Sequence, residues 1–119
     1  MTRNYTDYIA DILNAIEEIE EFIVGMDYEG FSGDRKTTNA VIRSLEVIGE
    51  AATKIPQEIC YQNPEIPWKR MAGMRNKLIH GYFGVDLEIV WEVCTDEIPP
   101  LKPTFEILLQ ELDDEEIDR

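Results

Sequence analysis

The sequence predicts an all-α fold, an up-down bundle of four to five helices. Hydrophobic residues recur at steps of three and four along most of the 119 residues, which is the spacing of one helical face. No stretch alternates hydrophobic and polar residues as a half-buried strand does, and no segment repeats. Hydrophobic residues make up 44% of the composition, so the chain can build one folded core.

The first half of the chain predicts two long helices separated by a loop. The hydrophobic stripe of the first helix comprises Tyr5, Tyr8, Ile9, Ile12, Ile16, Ile19, Phe22, Ile23 and Met26. The loop is indicated by the glycines Gly25, Gly30 and Gly33. Asp34 can cap the second helix, which Pro56 ends. The stripe of this second helix comprises Val41, Leu45, Ile48, Ala52 and Ile55.

The second half predicts shorter helical pieces beyond a proline-containing stretch. A single turn of helix fits residues 57–61, and Pro67 suits the first position of a third helix that Gly81 should end. Asp86 can cap a fourth helix, and Pro99, Pro100 and Pro103 restart the chain as a last one. The hydrophobic sides of these helices are Trp68, Met71, Met74 and Leu78, then Leu87, Val90, Val93 and Cys94, then Leu101, Phe105, Leu108, Leu109 and Leu112.

The chain is assigned to one helical domain, residues 1–110, with an acidic C-terminal tail, residues 111–119. Six of the last nine residues are acidic, so this end is expected to fray. No hydrophobic run approaches the ~20 residues that span a bilayer, and residues 1–7 lack a signal-peptide layout. Cys60 and Cys94 lie far apart without a CxxC motif and are interpreted as reduced, buried thiols. We therefore expect a cytoplasmic protein with no membrane partner.

The net charge of −14 argues against a nucleic-acid partner, but the charges are unevenly distributed. Residues 35–77 carry eight basic and four acidic side chains, whereas both ends of the chain are strongly acidic. The overall acidity predicts weak non-specific binding to nucleic acid. The basic middle still allows a selective or delivered nucleic-acid substrate.

Residues 75–82, Arg-Asn-Lys-Leu-Ile-His-Gly-Tyr, hold the chain's single histidine at the edge of this basic middle. Arg75 can hold a phosphate with a planar fork of donors, and His80 is suited to proton transfer near neutral pH. Asn76 and Lys77 add an amide and a second positive charge for binding substrate. Arg75 and His80 together form a minimal set for cleaving RNA without metal, because the 2′-hydroxyl attack needs a base, an acid and a cation. No cofactor is expected, and no cluster of metal ligands is evident.

Helical geometry complicates this interpretation. Five residues along an ideal helix separate two positions by ~140° around the axis and ~7.5 Å along it, so Arg75 and His80 do not share a face. One histidine also cannot be acid and base at once, and a homodimer would supply two. The structural alternative is a helix-terminal His80 stabilised by the helix dipole, Arg75 in a surface ion pair and a packed Tyr82.

The arrangement Arg-x4-His-x-Tyr resembles the signature of the HEPN superfamily, and in particular its HepT branch. Residues 41–51, Val-Ile-Arg-Ser-Leu-Glu-Val-Ile-Gly-Glu-Ala, are similar to the family's second-helix segment. Ile66-Pro67-Trp68, Met74-Arg75-Asn76 and Val90-Trp91 match as well. The resemblance extends from about residue 5 to residue 110.

The resemblance implies a dimeric, metal-independent ribonuclease toxin of a toxin–antitoxin pair, with Arg75 and His80 catalytic at the dimer cleft. It implies RNA as substrate and a minimal nucleotidyltransferase (MNT) antitoxin as partner, which attaches AMP to Tyr82. Two alternatives stay open: a non-catalytic helical adaptor that docks on a nucleotidyltransferase, and a purely structural dimer. Glu46 and Glu50 could line the cleft.

Overall fold

A computed structural model of the chain describes the backbone of residues 4–80 and 86–117, and the side chains of these ranges except 75–80 and 116–117. The described residues form seven α-helices and one π-helical turn, and no strand occurs among them. The helices are α1 (Tyr5–Ile23), α2 (Tyr28–Ser32), α3 (Arg35–Ala52), α4 (Gln57–Gln62), α5 (Trp68–His80), α6 (Leu87–Glu92) and α7 (Leu101–Ile117). The π-helical turn, Val93–Glu97, follows α6 directly. The predicted all-α bundle is confirmed.

The bundle is organised around α1 and α3. Helix α1 packs against both α3 and α7, and α3 also packs against α5. The Ser44 hydroxyl of α3 donates a hydrogen bond to the Glu18 carboxylate of α1 at 3.2 Å. Near the other end of the pair, Tyr8 and Ala51 line one small cavity, so α1 and α3 are antiparallel. Lys102, at the start of α7, pairs with Glu20 near the end of α1 at 3.4 Å.

Most of the predicted hydrophobic stripes form the core. Fully buried side chains come from α1, α2, α3 and α7 and from the chain around the π-helical turn. They include Ile9, Ile12, Ile16, Ile19, Phe31, Val41, Leu45, Ile48, Cys94, Ile98 and Phe105. One stripe member was predicted wrongly: Phe22, in the last turn of α1, is 37% exposed. The hydrophobic side chains of α1 are therefore less buried in its last turn, beyond Ile19.

Both helix caps predicted from the sequence, Asp34 and Asp86, are present. Asp34 accepts a hydrogen bond from the Thr37 backbone N–H at 3.1 Å, and Asp86 accepts one from the Glu88 N–H at 2.9 Å. The Thr37 hydroxyl and N–H together lower the pKa of the Asp34 carboxyl, because both hydrogen bonds favour its charged form. A third cap, not predicted, is a reciprocal pair of hydrogen bonds between Asn4 and Asp7 at the start of α1.

The connection between α1 and α3 holds more structure than the predicted loop. Gly25 has φ of 74°, a left-handed conformation that favours glycine, and it lets the chain turn after α1. Asp27 then caps the short helix α2 by accepting from the Gly30 N–H at 2.8 Å. The cap at Asp27 therefore stabilises a short helix in a segment where the glycines had predicted only a loop.

The second predicted helix ends earlier than Pro56. Helix α3 ends at Ala52, and the Thr53 hydroxyl donates to the Glu50 carbonyl oxygen at 2.6 Å. Ile55 is nevertheless buried, because the chain beyond the helix still covers the core. The predicted turn near 57–61 is confirmed as α4. Helix α5 begins at Trp68, and the Pro67 carbonyl accepts from the Met71 N–H at 3.0 Å.

The C-terminal region differs from the prediction at two points. The fourth predicted helix consists of α6 followed by the π-helical turn, in which the Ile98 N–H donates to the Val93 carbonyl at 2.9 Å. Helix α7 continues to Ile117, and Leu112 is buried in the core. The helical backbone therefore does not stop at residue 110, although the division into a domain and a tail stays a prediction.

Both cysteines are free thiols, in agreement with their predicted reduced state. Cys94 is buried, and burial raises the pKa of its thiol to about 12, because the charged thiolate is poorly solvated there. Cys60 is only half-buried, which differs from the prediction. Within the described ranges, no helix combines the length and hydrophobicity that crossing a membrane requires.

Candidate functional site

Helix α5 carries four of the five predicted site residues. Arg75, Asn76, Lys77 and His80 all belong to its helical backbone, and His80 is its last residue. Because the helix is continuous between them, the ideal-helix separation of ~140° and ~7.5 Å applies to positions 75 and 80. Their side chains, and all of Tyr82, lie outside the described residues. The assignment of catalytic and binding roles to these residues stays a prediction.

Helix α3 supports α5 along one side. Its buried residues include Ser44, Ile48 and Gly49, the last within the Ile-Gly-Glu-Ala segment that the sequence analysis singled out. A glycine has no side chain to separate neighbouring backbones, so a buried glycine suits close packing of helices. Helix α3 thus packs against the helix that carries Arg75 and His80.

A groove of about 260 Å³ separates α5 from α6 and the π-helical turn. Met74 of α5 and Val93 of the turn line it, together with Gly73, whose missing side chain leaves open space. The Arg70 guanidinium forms an ion pair with the Glu97 carboxylate at this groove. Arg70 is 71% exposed, so the ion pair contributes little to stability. Sequence reasoning did not single out this contact, whose partners lie in different helical segments.

Glu46 and Glu50 were considered as cleft residues. Glu46 pairs with Arg43 of the same helix at 3.5 Å, and Glu50 pairs with Lys54 at 3.9 Å. Glu50 also lines a cavity of about 140 Å³ between α1 and α3, with Asp11 and Arg43 in the same lining. Glu50 therefore pairs with a residue just beyond the end of α3 and lines a cavity between α1 and α3, and a role for these carboxylates in catalysis stays a prediction.

The two tryptophans pack against the core. The Trp68 indole N–H donates to the Asn63 carbonyl at 3.1 Å, and its ring meets the Phe105 ring edge-on at 5.7 Å. Trp91 packs against Phe31 with ring centroids 5.1 Å apart. Trp68 therefore ties the start of α5 to α7.

A wide depression of about 730 Å³ lies at the junction of α4 and α5, here called the α4–α5 surface. Its lining includes Tyr61, Pro64, Pro67, Trp68, Lys69 and Arg70. This surface was not predicted from the sequence. The available signal was a tyrosine between two prolines, followed closely by adjacent basic residues at the start of α5.

In the part of the chain that the structure describes, no group of three or more histidine, cysteine, aspartate or glutamate side chains is arranged to hold a metal ion.

Comparison with known proteins gives consistent matches over most of the chain. The family model described as "Ribonuclease HepT-like" matches residues 12–108. The chain is 52% identical over 108 residues to "Probable ribonuclease HepT" of Thermococcus cleftensis, covering 91% of this chain and 98% of that protein. It is 47% identical over 112 residues to a protein of Methanocaldococcus jannaschii named "Putative RNase", covering 94% and 97% respectively. A second protein of that organism with the same kind of name is 45% identical over 111 residues, covering 93% of this chain and 92% of its own length. No solved structure matches.

Proposed function

The chain belongs to the HepT-like ribonuclease family, and we propose that it is a metal-independent endoribonuclease that cleaves RNA with Arg75 and His80. The observation that carries the proposal is the position of both residues in the single helix α5 of a chain of this family.

In the proposed reaction, the 2′-hydroxyl of RNA attacks the adjacent phosphorus and the 5′-oxygen of the next nucleotide leaves. His80 would accept the hydroxyl proton or protonate the leaving oxygen, since its unperturbed pKa is close to neutral. Arg75 would bind the phosphate and stabilise the charge that grows in the transition state. Asn76 and Lys77 would hold the substrate beside them.

We further propose a twofold homodimer with the site at the cleft between protomers. Each chain has one histidine, and a reaction that needs a base and an acid is better served by two. Positions 75 and 80 point ~140° apart around α5, which favours a site completed by a second copy of the helix.

The proposed partner is a minimal nucleotidyltransferase antitoxin that transfers AMP from ATP to the Tyr82 hydroxyl and releases pyrophosphate, as in a toxin–antitoxin pair. Tyr82 lies two residues beyond His80 in the sequence. An AMP group there would add bulk and negative charge close to the place where an RNA phosphate must bind, so cleavage would stop.

Modification of Tyr82 can be tested with the partner enzyme and ATP. We expect the mass of the intact protein to rise by one or more AMP groups while RNA cleavage falls in parallel. Tyr82→Phe should not gain this mass, and whatever cleavage activity it has should not fall during incubation with the partner and ATP, because the accepting hydroxyl is gone. Label that persists in Tyr82→Phe, or label on Tyr82 that leaves cleavage unchanged, would contradict the mechanism.

The alternative function is a non-catalytic adaptor that docks on a nucleotidyltransferase. The net charge of −14 favours it, because a protein so acidic attracts RNA weakly. The two functions can be distinguished directly, because the purified chain cleaves RNA if it is a ribonuclease and does not if it is an adaptor.

The proposed function is tested by incubating the purified chain with total RNA in buffer containing EDTA. We expect cleavage to persist, because the proposed groups supply proton transfer and positive charge without a metal. His80→Ala protein, prepared in the same way, controls for contaminating nuclease. Cleavage that occurs with Mg²⁺ and disappears in EDTA would refute metal independence. Absence of cleavage under both conditions would favour the adaptor.

A further inference from the structure

The α4–α5 surface differs in charge from neighbouring cavities in the described part of the chain. Lys69 and Arg70 belong to its lining, which contains no acidic side chain. By contrast, the groove between α5 and α6 holds one basic and two acidic side chains, and so does the cavity between α1 and α3. On a chain of net charge −14, this surface is suited to an anionic ligand.

One cation of this surface is unpaired among the described side chains, and the other belongs to a largely exposed ion pair. Lys69 is exposed and forms no ion pair with another described side chain. Arg70 is paired with Glu97, but both groups are accessible, and an exposed pair of this kind contributes little free energy. A phosphate with bidentate geometry can therefore replace Glu97 as the partner of Arg70. The surface also includes the start of α5, where the helix dipole adds positive potential.

Aromatic side chains give the same surface a second feature. Tyr61 is 74% exposed, so its ring is open to a stacking partner. Trp68 beside it is held by its hydrogen bond to Asn63 and by the Phe105 ring. Pro64 and Pro67 restrict the backbone between the two rings. The surface thus combines an exposed aromatic ring and neighbouring basic side chains with a backbone that two prolines restrict.

We propose that the α4–α5 surface binds single-stranded RNA beside the candidate catalytic site, with a base stacked on Tyr61 and phosphates held by Lys69 and Arg70. Stacking on aromatic rings with phosphate contacts from basic residues is how proteins bind single strands. Lys69 and Arg75 lie on the same helix, ~9 Å apart along its axis and ~120° apart around it, so one strand that contacts both must curve around the helix over a few nucleotides. This inference rests on the proposed ribonuclease function and extends its substrate site.

The test measures binding of a fluorescein-labelled single-stranded RNA oligonucleotide by fluorescence anisotropy, in a His80→Ala background that prevents cleavage. Tyr61→Ala should weaken binding by about 10- to 100-fold, whereas Tyr61→Phe should bind normally because its ring still stacks. Lys69→Gln should reduce the slope of log K against log salt by about 0.7, as expected for one lost phosphate contact. Ile107→Ala, an exposed hydrophobic substitution on α7 outside this surface, is the matched control and should bind normally.

Cleavage kinetics separate failure of this inference from failure of the proposed function. With His80 intact, Tyr61→Ala should raise KM and leave kcat nearly unchanged, because the contact serves ground-state binding. If the native chain cleaves RNA while Tyr61→Ala binds and cleaves normally, the surface assignment is refuted and the ribonuclease proposal stands. The same conclusion follows if Tyr61→Ala weakens only the complex with the nucleotidyltransferase. A native chain that neither binds nor cleaves RNA would overturn both.

Discussion

His80→Ala should lower kcat/KM for RNA cleavage by roughly 10²–10⁴-fold, the typical contribution of a general acid–base group. Arg75→Ala should also cause a large loss, because the growing charge on the phosphate would lack its proposed cation. Cleavage of a defined oligonucleotide, followed by gel electrophoresis across a range of substrate concentrations, measures both effects.

Two controls show whether the loss is chemical. Far-UV circular dichroism of each variant should match the native chain, since positions 75 and 80 lie in the last two turns of α5. Arg75→Lys keeps the charge but not the planar fork, so we expect it to recover only part of the activity. Full activity in His80→Ala would exclude histidine as the proton-transfer group.

Mixing the two inactive variants tests the shared site. If a site needs only Arg75 of one protomer and His80 of the other, each hybrid dimer of His80→Ala and Arg75→Ala contains one intact site. An equal mixture should then recover about a quarter of native activity after subunit exchange. No recovery, under conditions where exchange is demonstrated with labelled subunits, would show either that both residues of a site come from one chain or that one site uses both histidines of the dimer.

Phe105→Ala should destabilise the fold by about 3–5 kcal/mol, the usual cost of removing a fully buried phenylalanine ring. Phe105 is 0% exposed on α7 and contacts the Trp68 ring of α5, so its loss leaves a cavity between two helices. Urea unfolding followed by circular dichroism should show a lower midpoint with a similar slope.

Ile107→Ala is the matched control for this stability experiment. Ile107 lies on the same helix two residues later and is 61% exposed, so its truncation should change stability by less than ~0.5 kcal/mol. Both variants are compared at one protein concentration, since association of copies would make the midpoint concentration-dependent. Equal midpoints for Phe105→Ala and the native chain would show that this contact does not hold α5 to α7.

The local signals in the sequence predicted the helices well. Hydrophobic spacing and the caps Asp34 and Asp86 depend on residues within one or two turns, so they can be recognised without knowing the fold. The same locality placed Arg75 and His80 on one helix near its end. The same dependence on local signals explains two wrong predictions. Helix α2 was missed because the nearby glycines indicated a loop, although Asp27 caps a short helix there. Phe22 was expected to be buried because it continues the hydrophobic stripe of α1, but it lies one turn beyond the buried part of that helix.

By itself, the sequence determined the all-α class, most helix positions, the residues of the motif and the family to which they point. Only the tertiary structure decided which side chains meet across helices: Ser44 with Glu18, Arg70 with Glu97, and Trp68 with Phe105. It also decided that Tyr61 is exposed beside Lys69, which produces the basic α4–α5 surface on an acidic chain. Such contacts join residues that are distant in sequence, and they depend on helix packing rather than on local periodicity.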